Sequence, residues 1–208
     1  MRTRRTTPYV TRLVIAVAIA ATVISACGES IPAAPAGILR DPAPEVGAVE
    51  LPDVSQGGQA FATKASPDDL LLVYFGFTSC PDVCPTTLAD VRRAVRNLDE
   101  DLATRVDLAV ITVDPDRDNA ETLTAYAQTW VPGAHALRTD DPMALRTAAD
   151  AYGADYLITT NDEGEIDVGH TAFLYAVDSA GRIRLTWPFG TPHEDLTSDM
   201  EYLFDEGV

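Results

Sequence analysis

Apolar residues in the middle of the chain follow two patterns, continuous runs and helically spaced positions. The runs at 70–77 and 106–113 have the length and composition of strands that are buried on both faces of a sheet. Between them, after Pro85, apolar residues recur at the spacing of one helix face: Leu88, Val91, Val95 and Leu98. A strand, a helix and a strand in this order predict a βαβ unit.

The rest of the chain continues this alternation and ends in a hairpin and a helix. In chain order the predicted elements are a helix capped by Asp118 with Leu123, Tyr126 and Trp130 directed inward, a short strand near Ala136, a helix opened by Asp141 and Pro142, strands at 156–159, 171–177 and 183–187, and a last helix that opens with a capping box at 191–194. This order is that of a thioredoxin-like α/β domain over residues 48–208, with a central mixed sheet flanked by helices.

The N-terminus, residues 1–26, has the pattern of an export signal. Several arginines precede an uncharged, mostly aliphatic run at 13–24, which is shorter than the roughly 20 residues of a membrane-spanning helix. The run ends in ISACG at 24–28, which resembles the lipobox of bacterial lipoproteins. This resemblance implies a cleaved signal peptide over 1–26 and a lipid on Cys27 that anchors the protein to the extracytoplasmic face of the cell membrane. The alternative is an ordinary secretory signal followed by an unrelated cysteine.

Residues 27–47 are rich in proline and alanine and show neither strand nor helix periodicity. Such a composition is typical of a semi-extended linker. We therefore expect a tether between the lipidated Cys27 and the folded domain, which holds that domain away from the membrane surface.

The charge of the chain bears on its partners. Its formal net charge is −17 and its sequence pI is near 4.3. A surface of this sign repels phosphate backbones. The composition therefore predicts no nucleic-acid partner.

Cys80 and Cys84 follow the first buried run, at the carboxyl end of its strand, where open α/β folds place their sites. A disulfide between them would close too short a loop to stabilise the fold much. Because Pro85 disfavours helical torsions at Cys84, we expect the helix to begin at Pro85, with Cys84 near its N-cap. Such a helix end lowers the pKa of a thiol, which favours both nucleophilic attack and metal binding.

His170 directly precedes the predicted strand 171–177, which runs antiparallel to the central strands in this topology. The start of that strand therefore lies at the sheet edge that holds Cys80 and Cys84. Two thiolates and a neutral imidazole suit Cu(I), and Cu(II) when a further donor joins them. A lone histidine before a strand is more often structural, but its convergence with the two cysteines favours a copper site.

Three separated motifs give the chain a resemblance to a known family. They are YFGFTSCPDVCPTTL at 74–88, VDPDRD at 113–118 and GHT at 169–171 before an apolar strand. Over roughly residues 48–206 the sequence resembles the SCO/SenC family of membrane-tethered copper proteins. The resemblance implies a thioredoxin-like fold and copper held by Cys80, Cys84 and His170. It also implies delivery of copper to the CuA centre of cytochrome c oxidase subunit II or another copper client, or reduction of the CuA cysteines.

Two functions use the same thiols. A metallochaperone binds and transfers copper, whereas a thiol–disulfide oxidoreductase attacks a target disulfide with one cysteine and resolves the intermediate with the other. His170 separates the two, because copper binding needs it and thiol exchange does not. The metallochaperone is the favoured reading, an enzymatic reductase is the alternative, and a non-reactive disulfide in a lipoprotein of another purpose is a third.

Other polar residues have weaker claims. Asp114 ends the second buried strand, where its carboxylate would orient a copper ligand; the competing interpretation is a capped turn at 114–118. His135 and His193 are interpreted as solvated side chains rather than as ligands.

Overall fold

The computed structural model describes residues 34–208. The predicted signal peptide, Cys27 and the first part of the predicted tether lie outside the described residues. Across 34–208, no helix has both the length and the apolar character that crossing a membrane requires.

A mixed sheet of seven strands forms the centre of the domain. Its strands are β1 (Glu50–Asp53), β2 (Gln59–Ala62), β3 (Leu70–Gly76), β4 (Val106–Thr112), β5 (His135–Leu137), β8 (Phe173–Val177) and β9 (Ile183–Pro188). They lie in the order β2-β1-β5-β4-β3-β8-β9. Two further strands, β6 (Tyr156–Thr160) and β7 (Ile166–His170), form a separate antiparallel hairpin.

The centre of the sheet matches the predicted βαβ unit. Strands β3 and β4 are parallel, and all seven residues of β3 are buried. A continuous apolar run forms such a strand because both of its faces are covered. Strand β8 pairs antiparallel with β3, so the end of β3 and the start of β8 lie at the same sheet edge. The predicted thioredoxin-like architecture is confirmed.

Helices cover the sheet and connect its strands. They are α1 (Val83–Asn97), α2 (Glu100–Ala103), α3 (Ala120–Trp130), α4 (Pro142–Tyr152) and α5 (His193–Asp205), with a short 3-10 helix at Val54–Gln56. Helix α4 begins as predicted, with Asp141 accepting a hydrogen bond from the Met143 amide and Pro142 in the first turn.

Two of the predicted helix caps are wrong. Asn119, not Asp118, caps α3, because its side chain accepts from the Thr122 amide while Asp118 is buried and points to other partners. Helix α5 has no capping box: its N-cap is Pro192, and the Thr191 hydroxyl donates to the Pro188 carbonyl instead. In both places tertiary or turn contacts compete for the side chain that the local pattern assigned to the cap.

The segment 36–47, predicted as part of the tether, lies against the edge strand β9. Ile38 pairs with Thr186, and the Val46 amide donates to the Gly181 carbonyl. Gly181 has a φ of 76°, and a Cβ there would lie 2.4 Å from the Gly47 Cα, so glycine is required for this close approach. These contacts cover an edge of the sheet, so residues 36–47 pack on the folded domain.

Asp199 of α5 fixes the start of this segment. Its buried carboxylate accepts from the amides of Ala36 and Gly37 at 2.9 and 2.7 Å and from the Trp187 indole at 2.7 Å. One carboxylate therefore joins the N-terminal segment, β9 and α5. Removing it would leave donors buried without a partner.

We predict that Asp199→Ala lowers the free energy of unfolding by about 3 kcal/mol, because donors to a charged acceptor lose their partner. Urea denaturation measures the loss, and hydrogen exchange at the Gly37 amide should accelerate in the same variant. Glu201→Ala, at an exposed position of the same helix, is the control and should change stability by less than about 0.5 kcal/mol. Equal stability of the two variants would contradict the role given to Asp199.

Candidate metal centre

Cys80, Cys84 and His170 come together at one edge of the central sheet. Each residue offers one ligand atom, and these three atoms all lie within 4.8 Å of one another. The Cys84 Sγ is 3.4 Å from His170 Nε2, and both cysteines are free thiols. The structure thus places the three sequence-predicted residues around a space that suits one soft metal ion.

The two cysteines occupy different local environments. Cys80 lies half-buried in the loop after β3, whereas Cys84 is fully buried in the first turn of α1. The predicted start of this helix at Pro85 is wrong, because α1 begins at Val83 with Asp82 as its N-cap. Pro85 fits inside the first turn, where backbone N–H groups have no intrahelical partner to lose.

The electrostatics of Cys84 also differ from the sequence prediction. Burial is the main influence and raises the pKa of Cys84 to about 12, although a hydrogen bond from the Phe77 backbone opposes the rise. The predicted lowering of a thiol pKa is therefore wrong for Cys84. The amide of Cys84 instead donates to the Cys80 Sγ at 3.3 Å, so the helix end faces the sulfur of Cys80.

The backbone at Gly76 makes room for Cys84. A Cβ at Gly76 would lie 3.2 Å from the Cys84 Sγ and 2.8 Å from a ring carbon of Tyr74. The last residue of β3 therefore has no side chain where the sulfur of Cys84 and the Tyr74 ring pack together.

His170 reaches the cysteines from the end of the β6–β7 hairpin. It is the last residue of β7, and β8 begins only at Phe173, so the predicted strand start at Thr171 is wrong. The Nδ1 atom lies 3.1 Å from the Thr171 carbonyl oxygen, which can only accept, so Nδ1 carries the proton. The lone pair of Nε2 then faces the Cys84 sulfur.

Packing holds the imidazole in this orientation. The rings of Tyr74 and Phe77 contact it edge-on, with centroid distances of 6.1 and 5.8 Å. Burial lowers the pKa of His170, which favours the neutral imidazole that metal binding requires.

Asp114 lies at the end of β4 and is buried beside the site. Its carboxylate pairs with Arg117, whose guanidinium lies 5.8 Å from the centre of the Phe77 ring. The Asp118 amide donates to the Asp114 carbonyl at 3.0 Å, which is the contact expected of the competing turn interpretation. Within residues 34–208, no hydrogen bond joins Asp114 to the cysteines or to His170.

Asp118 supports the cysteine loop, and sequence reasoning missed this role. Its buried carboxylate accepts from the Thr78 amide at 3.1 Å and from the Thr78 and Thr112 hydroxyls at 2.5 and 2.6 Å. These bonds tie the start of the loop to the end of β4. The available signal was that hydroxyl residues occur at the ends of two neighbouring parallel strands, close to an acidic residue.

The remaining histidines lie away from the cluster. The interpretation of His135 as a solvated side chain is wrong, because its Nδ1 lies 2.6 Å from the buried Asp53 carboxylate. His193 begins α5, and its Nδ1 lies 3.4 Å from the Glu194 carboxylate. Neither belongs to the group of residues that can share one ion within the described chain.

A cleft of about 490 Å³ opens beside the cluster. The loop 79–83 forms one wall, and the residues 166–170 of β7 form the other. Cys80 and His170 both line it, so a second molecule can approach a bound ion from this side.

The fold and the site together define a thioredoxin-like domain with a Cys₂His cluster that could hold a metal ion. Comparison with known families gives the particular assignment: the SCO1/SenC family model matches residues 44–205, and the chain belongs to this family.

Individual relatives agree with the assignment. The chain is 34% identical over 131 residues to a putative copper-binding protein of Stutzerimonas stutzeri and 33% identical over 133 residues to a SCO2-like protein of Rickettsia prowazekii. These matches cover 63% and 62% of this chain, and 64% and 63% of the relatives, which is less than two thirds of each relative.

Solved structures show the same fold. Apo Sco1 of Thermus thermophilus superposes with a TM-score of 0.66 at 30% identity, covering 81% of this chain and 95% of that one. ScoI of Bradyrhizobium japonicum with copper bound gives a TM-score of 0.62 at 29% identity, covering 74% of this chain and 96% of that one.

We predict that iodoacetamide alkylates Cys80 at least tenfold faster than Cys84 in the reduced, metal-free protein at neutral pH. Cys84 is fully buried and its pKa is raised to about 12, so little of it is the reactive thiolate. Peptide mapping by mass spectrometry gives both rates. In urea the two cysteines should react alike, and a faster Cys84 in the folded protein would contradict the burial argument.

Proposed function

We propose that this protein is a metallochaperone that binds one copper ion through Cys80, Cys84 and His170 and transfers it to a client outside the cytoplasm. The main observation that supports this proposal is that the three ligand atoms lie within 4.8 Å of one another. Two sulfurs and one imidazole nitrogen form a donor set that selects a soft ion such as Cu(I). Membership in the SCO1/SenC family and the copper-bound relative support the same metal.

In this proposal the two cysteines have different roles in binding and releasing the copper ion. Cys84 is buried against the Tyr74 ring and fixes the inner side of the site, whereas Cys80 and His170 border the cleft. A client ligand can therefore displace Cys80 or His170 while Cys84 still holds the ion. Because Cys84 has a pKa of about 12, copper binding must release its proton, and the affinity should rise with pH.

The client in this proposal is the CuA centre of cytochrome c oxidase subunit II. Family membership supports this choice. In the same proposal Asp114 is a positioning residue that acts through Arg117 and the Phe77 ring, since these contacts lead from its carboxylate to the imidazole of His170.

A thiol–disulfide oxidoreductase is the second candidate, and the unequal exposure of the two thiols favours a specific order of steps. The Cys80 thiolate attacks a disulfide of the target and releases one target thiolate. Cys84 then loses its proton and attacks the sulfur of Cys80, which releases the second target thiolate. The products are a Cys80–Cys84 disulfide and a reduced target, and His170 takes no part.

Anaerobic titration of the reduced protein from Gly28 onward with Cu(I) tests the first candidate. We expect one copper per chain in the wild type and at least a hundredfold weaker binding in Cys84→Ser and in His170→Ala, because each change removes one of three ligands. His135→Ala, a histidine outside the cluster, is the matched control and should bind as the wild type does.

The same variants separate the two functions. If His170→Ala binds copper as tightly as the wild type while it still reduces a disulfide substrate, the oxidoreductase is correct and the metallochaperone is not. If His170→Ala still reduces the disulfide substrate but no longer binds copper, His170 is needed for copper binding and not for thiol exchange.

We further propose that a lipid on Cys27 anchors the protein at the extracytoplasmic face of the cell membrane. The full chain expressed in a bacterium should fractionate with membranes and incorporate labelled palmitate, because the lipobox-like sequence directs acylation of this cysteine. Cys27→Ala should lose the label and leave the membrane fraction, whereas Cys80→Ser should keep both. A labelled Cys27→Ala variant would refute the assignment.

A further inference from the structure

Strand β7 borders the metal-site cleft with its edge and not with a face. All five of its residues, 166–170, line the cleft, whereas no residue of the paired strand β6 does. Neighbouring side chains of a strand point to opposite faces, so five consecutive lining residues mean that the backbone itself faces the opening.

The hydrogen-bond pattern of the hairpin shows which backbone groups are free at this edge. The Asn161 amide donates to the Glu165 carbonyl, and the Thr171 amide donates to the Asp155 carbonyl. Hydrogen-bonded and non-bonded pairs alternate in an antiparallel ladder. Ile166, Val168 and His170 therefore direct their N–H and C=O groups away from β6, toward the cleft.

These groups have no backbone partner across the cleft in the described part of the chain. The hairpin is a separate two-stranded sheet, and no backbone hydrogen bond joins 166–170 to the loop 79–83. An unpaired edge of this kind is a template for an added strand.

The charges around the cleft indicate the chemistry of that strand. Asp82 and Asp167 are exposed on its two walls, and the exposed hairpin turn carries Asp162, Glu163 and Glu165. Among the described residues, Arg117 is the one cation that lines the cleft, and it is paired with the Asp114 carboxylate. A segment with lysine or arginine side chains therefore complements these walls.

We propose that a copper client docks by adding an extended, positively charged segment to the free edge of β7, which places its own copper ligand beside Cys80 and His170. This inference rests on the proposed metallochaperone function and specifies how its partner binds. Side chains on one face of such a segment recur about every 7 Å. One of them next to His170 therefore brings a client sulfur or imidazole within reach of the ion while the backbone pairs with Ile166 and Val168.

Synthetic peptides provide the probe. The test peptide alternates valine and lysine around a central histidine, and its binding to the reduced, Cu(I)-loaded protein from Gly28 onward is followed by fluorescence anisotropy. That protein contains all the described residues, 34–208, which belong to one compact unit. We expect a peptide of the same sequence with N-methyl groups at alternate residues to bind at least tenfold more weakly, because it cannot donate its backbone hydrogens. A peptide with glutamate in place of lysine should also bind at least tenfold more weakly.

A matched pair of protein variants tests the edge itself. Ile166→Pro removes an outward N–H at the first residue of β7, a position where proline leaves the β6 ladder intact, and should weaken the test peptide about tenfold. Ile166→Ala removes the side chain but keeps the N–H and should weaken it by less than about twofold.

The outcomes are separable. Equal binding of the N-methylated and unmodified peptides to the wild type overturns strand addition, whatever the variants do, and equal binding of the glutamate peptide overturns the charge assignment. Failure of the underlying metallochaperone proposal appears instead in the Cu(I) titration of the wild-type protein, before any peptide is added.

Discussion

The burial of Cys84 at the carboxyl end of β3 is the constraint on which the site depends. Its sulfur fills the space left by the absent side chain of Gly76, packs beside the Tyr74 ring and faces the imidazole of His170. Burial disfavours the charged thiolate and raises the pKa of the metal-free Cys84 thiol to about 12. A positive ion that binds this sulfur also offsets the cost of its charge, so the pocket favours a metal over a free thiolate.

The other two residues of the site, Cys80 and His170, are held by separate parts of the chain. Asp118 ties the loop that carries Cys80 to the end of β4 through Thr78 and Thr112. On the opposite wall, His170 is carried by a hairpin that is not paired with the main sheet. The cysteine loop is therefore tied to the central sheet by hydrogen bonds, whereas the histidine belongs to a separate hairpin and is oriented by the rings of Tyr74 and Phe77.

Hydrophobic periodicity predicted most of the fold, and the failures are instructive. The runs that became β3 and β4 are buried on both faces, so their pattern has one structural solution. Helix starts were less predictable. Asp118 and Thr191 have side chains that often cap helices. Asp118 instead accepts a hydrogen bond from Thr112, and the Thr191 hydroxyl donates to the Pro188 carbonyl in a turn. Likewise, no local pattern shows that residues 36–47 pair with β9 through contacts far along the chain.

The sequence by itself determined the alternation of strands and helices from β3 to β6 and the closing hairpin and helix, but not β1, β2, α2 or β7. It also determined the two cysteines at the end of a buried strand and the types of atom available to a metal. These are local properties, since periodicity and neighbouring residues express them directly. The tertiary structure decided that His170 meets Cys84 across 86 positions of the chain, that Cys84 is the buried thiol, and that β7 presents an edge to the cleft. Distances between remote residues, and the burial that shifts a pKa, arise only when the elements pack together, so no pattern within one segment contains them.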